Sequence, residues 1–202
     1  MSGLSRSKLA TPSVSPPSKA PKPWVDPHTM PDYGDISEVA GNAPDVVKRL
    51  TNNTFASYGV GDEGSFAYTV GRAVKFVEVK VDRKEGRGGR LEATTVCEVV
   101  VGKDMLNGAG MMHGGCIAYL IDNTPLLVLG LMENVNGVGV TQGLNVTYHA
   151  PAPLGTCLRI VSTSVTLGKR VMTARCEVTD KASGRMVASA LLSKMQPIPN
   201  KL

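Results

Sequence analysis

Histidine, cysteine and aromatic residues are scarce in this chain of 202 residues, which holds three His, four Cys and 4% aromatics. The four cysteines, Cys97, Cys116, Cys157 and Cys176, form no C-x-x-C pair. With so few histidines, neither a zinc site nor a disulfide framework is expected, and free thiols in a reducing compartment fit the pattern. No metal is therefore assigned. Long apolar runs are missing too. The longest, Leu126 to Met132, is about a third of the roughly 18–20 residues that cross a bilayer, so no membrane span is expected.

What is present is an apolar fraction of 42%, enough to bury a core, on a length that suits one domain with appendages. The net charge is +5, from 22 basic and 17 acidic residues. Residues 1–25 carry Arg6, Lys8, Lys19 and Lys22 and no acid; Asp26, Asp32 and Asp35 then offset most of that charge. The remainder is mildly basic and has no Lys/Arg run with interleaved aromatics, so no nucleic-acid partner is assigned. Such mild basicity is as compatible with a small anionic ligand as with a polymer.

Residues 1–35 hold seven of the thirteen prolines, and six serines fall within the first 18 residues. Too little apolar surface is available there to offset chain entropy, and the segment reads as a disordered tail. Its acid-free, Ser-containing start also matches a mitochondrial presequence. However, it has a single Arg, and prolines cut any amphipathic helix short after about Ala10. A cytoplasmic location is expected, with a mitochondrial one as the alternative.

Residues 36–69 read as a helical extension, with Val39, Val46, Val47 and Leu50 at helical spacing and Pro44 suited to a helix start. From Val70 the period changes to two, opening a domain over 70–197. Val77, Val79 and Val81 alternate with Glu78 and Lys80. After the turn Gly86-Arg87-Gly88-Gly89, Leu91, Ala93, Thr95, Cys97 and Val99 alternate with more polar neighbours. That is a hairpin. A long apolar helix is expected from about Gly114 to Met132, and four strands over 138–149, 156–167, 171–179 and 185–195. The order predicts an α+β fold, an antiparallel six-stranded sheet wrapped around a mostly enclosed central helix.

The densest run of unusual residues is Asn107-Gly-Ala-Gly-Met-Met-His113-Gly114-Gly115. Two glycines where a loop enters a helix leave backbone N–H groups bare, unpaired by the helix and helped by its dipole. A ligand oxygen can approach them, which makes an oxyanion site; the plainer alternative is a tight turn. Asp122 follows inside the apolar helix, where a carboxylate is costly unless paired or functional. A solvated residue at a helix irregularity is the alternative, since Pro125 lies three residues on. Asp122 falls about 10 Å beyond Gly115 along the axis, too far to act on the same carbonyl. Two such helices packed antiparallel bring the glycines of one near the aspartate of the other. The spacing thus asks for a homodimer, or a tetramer of dimers, with shared sites.

These residues resemble the hotdog-fold acyl-CoA thioesterases of the phenylacetate-pathway type, a group that includes the small acyl-CoA thioesterase 13-like proteins. The resemblance runs from Asn107-x-x-Gly110-x-x-His113-Gly114-Gly115 and Leu120-x-Asp122 through Gly139-Val140-Thr141 and Asn145-Val146-Thr147-Tyr148. It continues in Ala150-Pro151-Ala152-Pro153-Leu154-Gly155 and Asp180-Lys181-Ala182-Ser183-Gly184, covering about 70–196. It implies hydrolysis of a fatty or aromatic acyl-CoA to the free acid and coenzyme A, with no separate cofactor. It also implies that Asp122 is the general base or nucleophile, and that Gly114 N–H and the Asn107 side chain polarise the thioester carbonyl. Thr141 orients the water with the aspartate of its own subunit, and His113 braces the loop more than it does chemistry. Lys103, Gly115, Tyr148, His149, Ala150 and Pro151, with the turn Gly168-Lys169-Arg170, are implied to meet coenzyme A, and the two last cations also suit phosphates. Met111, Met112, Leu126 and Met132 are expected to shape the acyl tunnel. Thr stands at 141 where Ser is commoner in the family. A non-catalytic acyl-CoA-binding module on the same fold is the alternative; a hydratase, with its catalytic His elsewhere, fits poorly.

Overall fold

A computed structural model describes residues 29, 31–60, 62–83, 89–123, 139–168 and 170–195. Residues 1–28, most of the predicted tail, lie outside it, as do Pro125, Leu126–Met132 and Lys169. Six strands form one antiparallel sheet: β1 Lys75–Arg83, β2 Leu91–Val100, β3 Val140–Tyr148, β4 Cys157–Leu167, β5 Val171–Asp180 and β6 Met186–Met195. Their spatial order is β1-β2-β4-β5-β6-β3, so the link from β2 to β3 carries the chain across the whole sheet. That link contains α3, Gly114–Asn123, the described part of the expected central helix.

Alternation decides which side of each strand packs on the helix. Cys97 and Val99 of β2, Leu158 and Ile160 of β4, Cys176 and Val178 of β5, and Ala188 and Ala190 of β6 share a core with Ile117, Leu120 and Ile121 of α3. The helix is less enclosed than its composition predicts: Cys116, Ala118, Tyr119 and Asp122 are only half-buried and Gly115 is exposed. In a single chain, one face of α3 stays partly open.

The extension departs further from its sequence reading. A helix forms at α1, Asp45–Phe55, with Pro44 at its N-cap. Its buried face is Val47, Thr51 to Thr54 and Phe55, whereas Val46 is 55% exposed. Threonine fits that face because Thr51 and Thr54 return their hydroxyls to the carbonyls of Val47 and Leu50. Residues 31–43 are not helical. Ala40 pairs with β1 in parallel, its N–H donating to the Val77 carbonyl and its carbonyl accepting from Val79. Asn42 continues the pairing with its side chain, Oδ1 taking the Val81 N–H at 2.8 Å. Val39 is therefore buried by strand-like pairing rather than on a helix face. Nor does the period of two begin at Val70: a short helix, α2, Tyr68–Arg72, precedes β1.

The result leaves the two sheet edges unlike. The β1 edge is covered by the chain's own residues 40–43, while the outer edge of β3 pairs with nothing among the described residues.

Candidate active site

The loop before α3 consumes most of that helix's free donors. The His113 carbonyl accepts from Cys116 at 2.9 Å and Ile117 at 3.2 Å, and its Nδ1 accepts the Gly115 N–H at 2.9 Å. His113 thus caps the helix with both backbone and ring. The Gly115 N–H is used up, so within this chain Gly115 offers no free donor. The Gly114 N–H has no partner among the described residues. Tyr148 lies against this glycine: its hydroxyl donates to the Gly114 carbonyl at 2.9 Å, and a Cβ at Gly114 would stand 3.3 Å from its ring. A side chain at 114 would push that ring outward by a few tenths of an ångström.

Asn107 shares this end of the helix. Its Oδ1 accepts the N–H groups of Ala109 at 2.9 Å and Met111 at 3.2 Å, and its Nδ2 donates to no group among the described residues. The loop is tied down by Met112 N–H to Ala152 carbonyl and His113 N–H to Met105 carbonyl, both 2.8 Å. Lys103 is exposed in a 3-10 turn, Lys103–Met105, ahead of this loop. Met112 is buried in the core and Met111 half-buried.

At the other end of α3, Thr141 Oγ1 donates to Asp122 Oδ1 at 2.6 Å. Lys194 Nζ stands 3.7 Å from the same oxygen, while Oδ2 has no partner among the described residues. The Asp122 side chain is 36% exposed and that of Lys194 only 3%. Register explains the meeting: Thr141 and Lys194 are opposed across β3 and β6, beside a bulge between Thr141 and Gly143 that re-aims the strand. Above the ammonium lies the Tyr58 ring, 4.9 Å from Nζ to the centroid. Burial pushes Lys194 below the usual lysine value, and the Asp122 charge restores part of the loss. Burial, then that same charge, pushes the Tyr58 hydroxyl well up.

Sequence reasoning missed both residues. Lys194 carried a signal, because it continues the inward series Ala188, Ala190, Leu192 of β6, where a charge is unexpected. Tyr58 had none. It sits in a π-type turn, Ala56–Val60, after α1.

The other predicted contacts divide between the same two ends. His149, whose Nε2 is 2.8 Å from Ser189 Oγ, and Ala150, whose N–H donates to the Val187 carbonyl, follow Tyr148 at the Gly114 end. So does Pro151, whose carbonyl accepts from Arg185. Gly168, with its N–H on the Val171 carbonyl, and exposed Arg170 form the turn before β5, where Val171 pairs with Met195 at the Thr141 end. Thiol chemistry has no support: burial pushes Cys116 up to about 11.

A family model described as the thioesterase superfamily matches residues 109–187. The acyl-coenzyme A thioesterases 13 of Homo sapiens and Pongo abelii are each 32% identical over 99 residues, 49% of this chain and 70% of theirs. This chain belongs to the thioesterase superfamily. By that membership it is a thioester hydrolase, and its sheet and helix are those of the hotdog fold. The crystal structure of zebrafish thioesterase superfamily member 2 superposes with a TM-score of 0.61 at 22% identity. That match spans 77% of this chain and 99% of the other. The family-matched segment contains Gly114, Asp122, Thr141 and Tyr148; Asn107, Lys194 and Tyr58 of this thioesterase lie outside it.

Proposed function

We propose that the chain hydrolyses an acyl-CoA thioester to the free acid and coenzyme A, in a site shared between two copies. The observation that carries this reading is the Asp122 carboxylate. Its Oδ1 is held by Thr141 at 2.6 Å, and its Oδ2, with no partner among the described residues, is left to take a proton. Asp122 acts as general base: Oδ2 accepts a proton from water as the water oxygen bonds to the thioester carbonyl carbon. The carbonyl electrons move onto oxygen, which the Gly114 N–H and Asn107 Nδ2 stabilise. The C–S bond then breaks, the carbonyl re-forms, and the proton on Asp122 passes to the leaving thiolate. No cofactor enters, since coenzyme A is part of the substrate.

Gly114 and Asp122 are eight residues apart on one helix, about 12 Å along the axis, so one chain does not aim both at one carbonyl. The β3 edge, unpaired on its outer side among the described residues, supplies the remedy. Thr141 lies at one end of this strand and Tyr148, packed on Gly114, at the other. Antiparallel pairing of β3 with a second copy exchanges the ends, bringing Asp122 and Thr141 toward the partner's Gly114 and Asn107. The phosphates of coenzyme A would then meet Arg170 of one copy, with the Tyr148–Pro151 segment and Lys103 of the other.

A thiol-release assay across short, medium, long and aromatic acyl-CoAs tests the reading. Asp122→Asn is expected to lower kcat by about 10²–10⁴-fold with the substrate still bound. Wild-type turnover in that variant would remove Asp122 from the chemistry. Tight binding of acyl-CoA without thiol release from the unmutated protein would leave a binding module instead.

A further inference from the structure

Lys194 is a cost the fold accepts for a reason its packing does not supply. An ammonium on an inward strand position, 3% exposed, is stable only where something nearby repays its lost hydration. Two groups are in place to do so. Asp122 Oδ1 lies 3.7 Å away, and the Tyr58 ring covers the ammonium at 4.9 Å, a cation–π contact that strengthens away from water. On the sheet, Lys194 faces Thr141 of β3 and Met172 of β5, neither of them charged. Asp122 and Tyr58 are the titratable side chains recorded against it among the described residues. Tyr58 comes from the N-terminal extension, outside the segment shared with the family model.

We propose that Lys194 is a positioning residue for Asp122. Its ammonium and the Thr141 hydroxyl together fix Oδ1, so that Oδ2 is the oxygen presented to water, and Tyr58 shields the ammonium. The extension is on this account a built part of the active site. The proposal rests on the reading of Asp122 as the base, and the two fail differently. Full activity in Asp122→Asn sinks both. An inactive Asp122→Asn beside an unaltered Lys194→Met sinks only the role of Lys194.

The test is the pH dependence of kcat, with spontaneous thioester hydrolysis subtracted. In the unmutated protein kcat is expected to fall on the alkaline side as Lys194 loses its proton, at a pH below the ordinary lysine value of 10.5. Burial of Lys194 sets that direction. Tyr58 does not produce the limb, because its hydroxyl is pushed up beyond this range. Lys194→Met is expected to lower kcat about tenfold at neutral pH, to leave KM within about twofold, and to lack the alkaline limb. A limb of wild-type shape in folded Lys194→Met overturns the proposal. If that variant does not fold, Lys194→Gln takes its place, and a flat unmutated profile up to pH 10.5 overturns the proposal with no variant needed.

Discussion

The short bond from Thr141 to Asp122 concentrates two jobs on one hydroxyl. It immobilises the carboxylate on its helix and occupies Oδ1, which on the proposed mechanism leaves the second oxygen to the water. Hydrogen bonds to a charged acceptor are worth more than neutral ones, on the order of 1.5–3 kcal/mol. Thr141→Val keeps the shape and removes the donor. It is expected to lower kcat by about 10- to 100-fold while KM stays within about twofold. Thr141→Ser, which retains the hydroxyl, should stay close to the unmutated rate. Steady-state kinetics on one good acyl-CoA substrate decide it, and equal losses in both variants would show that the methyl, not the hydroxyl, matters. Gly114 at the opposite end is bare: its N–H has no partner among the described residues, and the Tyr148 ring packs where its side chain would begin.

Among the elements, the segment before α1 behaves as a strap that finishes the β1 edge. It can do so because Gly41, at φ +96°, passes so close to β1 that a Cβ there would stand 2.1 Å from the Val79 carbonyl oxygen. Gly41→Ala must therefore detach the strap from Val77 and Val79 or push the strand aside. Destabilisation of about 2 kcal/mol or more is expected. A thermal melt measures it, and light scattering should report association through the uncovered edge. The strap illustrates what the chain did and did not reveal in one dimension. The hairpin, the later strands and the glycine-to-helix junction were legible, because a period of two and a bare helix start are local properties. Val39 misled, because helical spacing extends by chance into a segment whose backbone partner lies some forty residues away, and Val46 misled because it sits on α1 but faces outward. Lys194 was readable only through the inward alternation of β6. Tyr58 was not readable at all, since its place over Lys194 depends on how the extension folds back on the sheet.

At the scale of the molecule, one edge of the sheet is closed by the chain itself and the other pairs with nothing among the described residues, and the two halves of the proposed site lie at its two ends. A nine-residue edge strand whose outer hydrogen-bonding groups meet no partner among the described residues is an invitation to pairing. With β1 covered, self-association through sheet edges has β3 as its route, which favours a closed two-fold dimer over an open array. The sharing of the site then becomes a matter of counting rather than of shape. On the proposed sharing, Asp122→Asn spoils the base in its own copy, whereas Asn107→Ala spoils the carbonyl-polarising donor that the other copy's base relies on. Each homodimer of either variant has two defective sites. A mixed dimer has one site with both defects and one with neither. If equal amounts are unfolded together and refolded, about half the dimers are mixed, and activity should return to about a quarter of the unmutated level. The measurement is thiol release before and after mixing. Recovery near a quarter requires that Asp122 and Asn107 of one working site come from different chains, and a mixture as inactive as its parents would place them in the same one.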